Sequence, residues 1–134
     1  WCNLGADTNT SNLKNNYDEV KLWNYNQEKF EKTGLQFCGL IMGDHSKTSI
    51  NTMLNTGTVI GVSSNIFGSG FPRNFVPSFA WGGASGFSTY QIAKALVTSK
   101  LVYKRRKKEF GLDEEHVFEH LFAQESKFRI WENK

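Results

Sequence analysis

The middle of the chain repeats a six-residue pattern of one large apolar position and one small position. Written in sixes from Met42, it reads MGDHSK, TSINTM, LNTGTV, IGVSSN and IFGSGF. The first position is apolar and large in four of the five hexads, and its members are Met42, Thr48, Leu54, Ile60 and Ile66. The fifth position is small in every hexad, and its members are Ser46, Thr52, Thr58, Ser64 and Gly70.

A six-residue period predicts a left-handed parallel β-helix, in which each hexad forms one side of a triangular coil and three hexads complete a turn. First-position side chains would stack inside the coil, and glycine or asparagine would accept the positive φ of tight corners. The alternative is a Ser/Thr/Gly-rich loop with an accidental period. The phase held through five hexads and the lack of a 3.6-residue pattern disfavour that loop. Such coils need stacked neighbours, so we expect further coils before Trp1 and a chain that is part of a longer protein.

The coil is predicted to span residues 1–80, with an insertion at 17–36. Within the insertion, apolar residues on both sides of Asn26-Gln27 predict two short strands that form a hairpin ejected from the coil. Loops that leave a rigid scaffold often carry function. Residues 81–134 are predicted to form a cap loop and two helices.

The segment 67–87 contains five phenylalanines and Trp81. Pro72 and Pro77 predict that regular strand pairing stops there, because proline has no N–H for the ladder. We interpret the segment as a cap over the open end of the coil. The alternative is a pocket wall in which Arg73 binds a phosphate or a carboxylate.

Two helices are predicted near the C-terminus. The first starts at residue 88, with Ser88 and Gln91 as a capping box, and ends at Gly111. Its apolar face comprises Ile92, Ala95, Leu96, Ser99, Val102 and Tyr103. The basic run 104–108 suits a helix C-terminus, which we prefer over a nucleic-acid patch. The second helix is capped by Asp113, and its apolar side comprises Val117, Phe118, Leu121 and Phe122.

Composition narrows the class of protein. The chain has 134 residues, a mass of 15.3 kDa, 39% hydrophobic residues and a net charge of +3. This supports one folded domain or part of one, and the small charge excess predicts no nucleic-acid partner. No apolar stretch approaches the roughly 20 residues of a membrane span, so no membrane partner is expected. Cys2 and Cys38 form no CxxC zinc motif, and they fit free thiols in a reducing cytoplasm better than one disulfide.

The chain has three histidines. His116 and His120 are four residues apart on a predicted helix, but HVFEH lacks the glutamate position of HExxH, and packed neighbours favour a structural role. We therefore predict no metal. His45 is a weak candidate for the general base of a catalytic reaction; the alternative is a corner residue that faces water.

Two stretches resemble a known family. Residues 3–12, NLGADTNTSN, resemble the N-[IL]-G-A-x-T-x-x-x-N segment of hexapeptide sugar acetyltransferases. The most similar are the C-terminal domains of bifunctional N-acetylglucosamine-1-phosphate uridyltransferases. The stretch from Phe37 to Gly83 is similar to putative sugar nucleotidyltransferases often labelled glucose-1-phosphate thymidylyltransferase.

The resemblance implies a homotrimer that binds acetyl-CoA between subunits and transfers the acetyl group to an amino sugar phosphate. The catalytic base of that family lies just before the N-[IL]-G-A segment, which here is upstream of Trp1. Asn12 matches the asparagine of the acetyl site, and Asn12, Lys14 and Arg73 are the candidate residues for acyl-CoA or substrate.

Two positions differ from the family pattern and favour an alternative function. Leu13 stands where the family has tyrosine, and Ile50 where it has serine. They favour a non-catalytic β-helix that trimerises or regulates a nucleotidyltransferase. A γ-type carbonic anhydrase, also a left-handed β-helix trimer, is set aside because it needs three zinc histidines and the coil has only His45.

Overall fold

The protein combines many short strands in small sheets with two α-helices. A computed structural model describes residues 1–133. The strands are β1 (Asn9–Thr10), β2 (Lys21–Asn24), β3 (Lys29–Lys32), β4 (Ile41–Met42), β5 (Lys47–Thr48), β6 (Met53–Leu54), β7 (Val59–Ile60), β8 (Asn65–Ile66), β9 (Phe75–Val76), β10 (Ala80–Gly83) and β11 (Gly86–Thr89). The helices are α1 (Ile92–Arg105) and α2 (Leu112–Gln124), followed by the short 3-10 helices η1 (Glu125–Phe128) and η2 (Ile130–Glu132). Within the described part of the chain, no helix is both long and apolar enough to cross a membrane.

Three small parallel sheets, which we call the parallel array, contain the hexads. Their parallel pairs are β1-β6, β4-β7-β9 and β5-β8-β10, and β11 joins β10 as an antiparallel edge strand. Met42 pairs with Ile60 and Thr48 with Ile66, so the partners are 18 residues apart. From β4 to β8, the chain therefore visits all three sheets before it pairs with its own earlier strands.

The predicted inward positions of the hexads are confirmed. Each of the strands from β4 to β8 ends on a first-position residue, and Leu54, Ile60 and Ile66 are almost completely buried. Successive side chains of a strand point to opposite sides, which places the preceding residue of each pair outward. The small fifth position is also buried in the first four hexads, and it links layers. The Ser46 hydroxyl donates to the Gly61 carbonyl at 2.6 Å and accepts from the Ser64 N–H at 2.9 Å.

The turns between these strands use the fourth position of each hexad. This position has positive φ in four consecutive hexads, at His45, Asn51, Gly57 and Ser63. The Ser46 N–H donates to the Gly43 carbonyl, and the Thr58 N–H donates to the Asn55 carbonyl, as in turns that need positive φ at their third residue. Glycine and asparagine were expected at such turns, but histidine and serine also occupy them.

The insertion forms the predicted hairpin. β2 and β3 pair antiparallel, with Trp23 opposite Phe30. Val20, just before β2, is fully buried and packs on the turn at Gly57, where an added Cβ would lie 2.8 Å from a Val20 methyl carbon. The hairpin is therefore fixed to the parallel array at a position where only glycine fits.

The expectation that Pro72 and Pro77 stop strand pairing is wrong. β9 pairs with β7, and β10 pairs with β8, so the array continues through this segment. Both prolines lie in connections that flank β9, where no ladder N–H is needed. The pairing interval shortens to 16 residues, as in the pair Asn65 and Trp81.

The helix starts also differ from the prediction. Ser88 lies in β11 opposite Trp81 and donates its hydroxyl to the Trp81 carbonyl at 3.3 Å, so α1 begins only after Gln91. Strand pairing satisfies the backbone of this segment and overrides the capping signal. Likewise, Gly111 precedes α2 and donates its N–H to Glu114 at 2.9 Å; the predicted cap, Asp113, lies inside the first turn.

Two apolar clusters stabilise the molecule. One fills the interior of the parallel array and comprises Leu54, Ile60, Ile66, Val76 and Ala80, with Phe87 and Trp131 packed against it. The other joins the array to the helices through Phe79, Ala95, Phe110 and Phe118. In α1 the predicted apolar face holds, whereas Val117 of α2 is 56% exposed. Together the clusters hold the helices and η2 on the strands.

Candidate functional site

Arg73 lines a cavity of about 550 Å³ that we call the aromatic cavity. Its lining also includes Trp23 of β2, Phe75 of β9, and Lys127 and Phe128 of η1. Glycine-rich residues 83–86 and the side chains of η2 complete the lining. Three distant segments of the chain therefore meet here.

The aromatic walls have defined geometry. The rings of Trp23 and Phe75 stack with centroids 4.1 Å apart and planes 9° apart. The Phe128 ring meets both edge-on, at 5.7 Å from Trp23 and 5.6 Å from Phe75. Tyr25 also contacts Phe75 edge-on, and burial, assisted by the negative charge of Glu125, raises the pKa of its hydroxyl. Four aromatic rings therefore meet at this wall, with Tyr25 beside Phe75 and Phe128.

The two cations of this cavity differ in availability. Lys127 forms an ion pair with Glu28 and lies 5.0 Å from the centre of the Phe128 ring. Arg73 is exposed and has no ion-pair partner among residues 1–133. A guanidinium beside aromatic walls can bind a phosphate or a carboxylate on a ligand whose apolar part contacts the rings.

Asn12 and Lys14 lie just before the insertion in the chain. Asn12 is exposed, and its carbonyl accepts the Cys38 N–H at 2.9 Å where the chain returns to the array. Lys14 is half-buried and donates its ammonium group to the Glu19 carbonyl at 3.3 Å. Neither residue lines the aromatic cavity. The structure thus places Asn12 and Lys14 near each other and does not bring Arg73 to them.

His45 lies in an aromatic environment. It is only 3% exposed, and its ring centroid is 5.2 Å from Phe118, 5.8 Å from Tyr103 and 6.1 Å from Trp1. Its Nδ1 atom is buried without a hydrogen-bond partner among the described residues. Burial, together with the positive charge of Lys47, lowers the pKa of His45 to about 4. A packed, neutral histidine explains this setting better than a general base does.

The remaining histidine and cysteine candidates do not come together in a site among the described residues. His116 and His120 are both exposed on α2. Across residues 1–133, no group of three or more His, Cys, Asp or Glu side chains could hold a metal ion. Cys2 and Cys38 are both free thiols.

Arg73 is a candidate from the sequence, whereas most other residues that line the aromatic cavity are not. The sequence places Trp23 in the hairpin without indicating what it contacts. No pattern in the sequence indicates that Lys127 and Phe128 lie beside it in the fold. The alternation of cations and large apolar residues in a polar tail, as in 127–131, is the one local signal of a contact surface.

The motif that carries the family resemblance has a structural role in the array. A Cβ atom on Gly5 would lie 2.3 Å from the carbonyl carbon of Ser49, so the motif glycine permits close stacking of two layers. The hydroxyls of Thr8 and Thr48 are 2.8 Å apart and link the same layers. No protein-family model matches the chain, and the search of curated proteins finds no match.

Proposed function

We propose that the parallel array is a left-handed parallel β-helix of the hexapeptide-repeat type. The observation that carries this proposal is the 18-residue pairing interval, with an inward residue at every sixth position. The positive φ at the fourth position of four consecutive hexads adds support, because such residues would turn the chain at the corners of a coil. In this interpretation, the hairpin of β2 and β3 is an excursion from one corner.

We propose further that the chain is the C-terminal domain of a sugar-1-phosphate nucleotidyltransferase of nucleotide-sugar biosynthesis. It would act in the cytoplasm as a homotrimer. Its activity would be transfer of an acetyl group from acetyl-CoA to an amino sugar phosphate. Support comes from the motif at residues 3–12, whose glycine and threonine pack closely on the neighbouring layer. Exposed Asn12 is available to the acyl donor, and exposed Arg73 to an anionic group of the acyl donor or of the substrate.

The reaction needs a base that the proposal places upstream of Trp1. The amine nitrogen would attack the thioester carbonyl, forming the amide C–N bond, while the C–S bond breaks and coenzyme A leaves. The base would take the proton lost by the nitrogen, and the thiolate would recover a proton from the protonated base. Backbone N–H groups would stabilise the negative oxygen of the tetrahedral intermediate.

The alternative function is a non-catalytic β-helix that trimerises or regulates the nucleotidyltransferase. The described part of the array supplies no base of its own, because its one histidine, His45, is enclosed by aromatic rings. Leu13 and the 66% exposed Ile50, at positions where the family has tyrosine and serine, favour this alternative.

Calorimetric titration of acetyl-CoA into the chain, with its mass measured in the same buffer, separates the two functions. Acetyl transfer predicts saturable binding to a trimer that weakens about tenfold in Arg73→Gln or Asn12→Ala. Lys107→Gln removes one exposed positive charge away from both positions and should bind normally. A folded trimer that does not bind acetyl-CoA, also when extended before Trp1, would support the non-catalytic function.

A further inference from the structure

A second cavity, of about 620 Å³, lies between the parallel array and the C-terminal end of α1. We call it the basic cavity. The array contributes Lys47 of β5 and Asn3, which is bridged to Lys47. The helix contributes Val102, Arg105 and the following residue Arg106, and Trp1 and Cys2 complete the lining.

Three positive side chains line this cavity, and none of its lining residues carries a carboxylate. Among residues 1–133, none of Lys47, Arg105 and Arg106 forms an ion pair. Lys47 is half-buried, and its ammonium group donates one hydrogen bond to the His45 carbonyl at 2.8 Å. Burial lowers the pKa of Lys47, so its charge is held there at a cost that a bound anion would reduce.

The helix dipole accounts for only part of this arrangement. Basic residues in the last turn of α1 are favoured by the negative helix end. That explanation does not cover Lys47, which lies on a strand far away in sequence. It also does not distinguish Arg105 and Arg106, which line the cavity, from Lys107 and Lys108, which do not.

We propose that the basic cavity binds the diphosphate group of a small molecule. The planar fork of each arginine can donate two parallel hydrogen bonds to phosphate oxygens, and Lys47 adds a compact positive charge from the opposite wall. Three cations match the charge of a diphosphate better than that of a single phosphate. The cavity volume leaves space for a group attached to the diphosphate. This proposal does not depend on acetyl transfer, because its probe is inorganic pyrophosphate.

Isothermal titration of pyrophosphate at fixed ionic strength tests the proposal. The double variant Arg105→Gln/Arg106→Gln should bind at least about tenfold more weakly than the unmodified chain. Lys107→Gln/Lys108→Gln loses the same charge from the same exposed segment and should keep its affinity within about twofold. Both pairs are exposed, and equal melting temperatures would show that the fold is intact.

Three results would overturn the proposal, and the first two are no saturable binding of pyrophosphate and equal weakening by both double variants. Equal weakening would mean attraction to net charge alone. Stronger binding of a single-stranded oligonucleotide than of every small diphosphate would also overturn it, in favour of a nucleic-acid surface. Parallel titrations of coenzyme A, ADP and UDP identify the source of the diphosphate, and orthophosphate should bind more weakly than pyrophosphate.

Discussion

Ile60 is the residue on which the interior of the parallel array depends most directly. It is 1% exposed and lies in the same apolar cluster as Leu54 and Val76. Ile60→Asp would bury a carboxylate that has no partner, at a cost above about 4 kcal/mol. We expect loss of the cooperative thermal transition measured by circular dichroism.

Ile50→Asp is the matched control, because it makes the same change at a residue that is 66% exposed. Its free energy of unfolding should change by less than about 0.5 kcal/mol. A cooperative melt in Ile60→Asp would show that the inward register of the hexads is wrong.

His45 predicts a pH dependence of stability. In the folded chain, burial and then Lys47 lower the pKa of His45 to about 4, whereas an unfolded histidine has a pKa of about 6.5. Between these values the unfolded chain binds more protons, so stability falls as the pH drops from about 6.5 towards 4. The loss is up to about 3 kcal/mol and is absent above the unfolded pKa.

The variant His45→Asn isolates this contribution from that of the carboxylates. Asparagine accepts the positive φ of this turn and does not titrate. Denaturant unfolding at several pH values should show a shallower decline between pH 6.5 and 4 in the variant, whatever its absolute stability. Parallel curves for the two proteins would contradict a neutral, buried His45.

At the scale of elements, the distance between layers is set by residues without a side chain. A Cβ on Gly61 would lie 2.4 Å from both the backbone nitrogen and the hydroxyl of Ser78 in the next layer. Gly61→Ala should therefore push β7 and β9 apart and lower the free energy of unfolding by about 3 kcal/mol.

Gly39→Ala provides the comparison, because its Cβ would meet no atom closer than 3.6 Å. Chemical denaturation of both variants measures the difference. Similar stability of Gly61→Ala and Gly39→Ala would mean that the layers are not packed as closely as described.

The strands were predictable where one local rule decides the structure. In the hexads, a single position must be buried and another must be small, so the alternation visible around Ile60 also determines the register. The start of α1 was not predictable in this way. Ser88 satisfies a local capping rule, but its backbone pairs with Trp81, and that pairing depends on a strand formed by a different segment.

At the scale of the whole molecule, both cavities combine residues that are distant in sequence. Arg73 was a recognisable candidate because it lies among aromatic residues in the sequence. Phe128 joins the aromatic cavity only because η1 packs it against Phe75. Lys47 gave no signal, since one lysine on a short strand is ordinary. A binding role for Lys47 can be inferred only from the structure, in which the packing of α1 on the array places Arg105 and Arg106 at the same cavity.

The proposed homotrimer is the prediction that concerns the whole molecule. A prism-shaped β-helix can form a closed three-fold ring of identical interfaces, which buries side chains that one chain leaves exposed. Such side chains exist on the array: Ile41 is 51% exposed and Met53 is 39% exposed, both at outward strand positions. Light scattering after size exclusion should give three times the chain mass of 15.3 kDa. A monomeric mass that persists at high protein concentration would contradict the trimer and, with it, an acyl-donor groove between subunits.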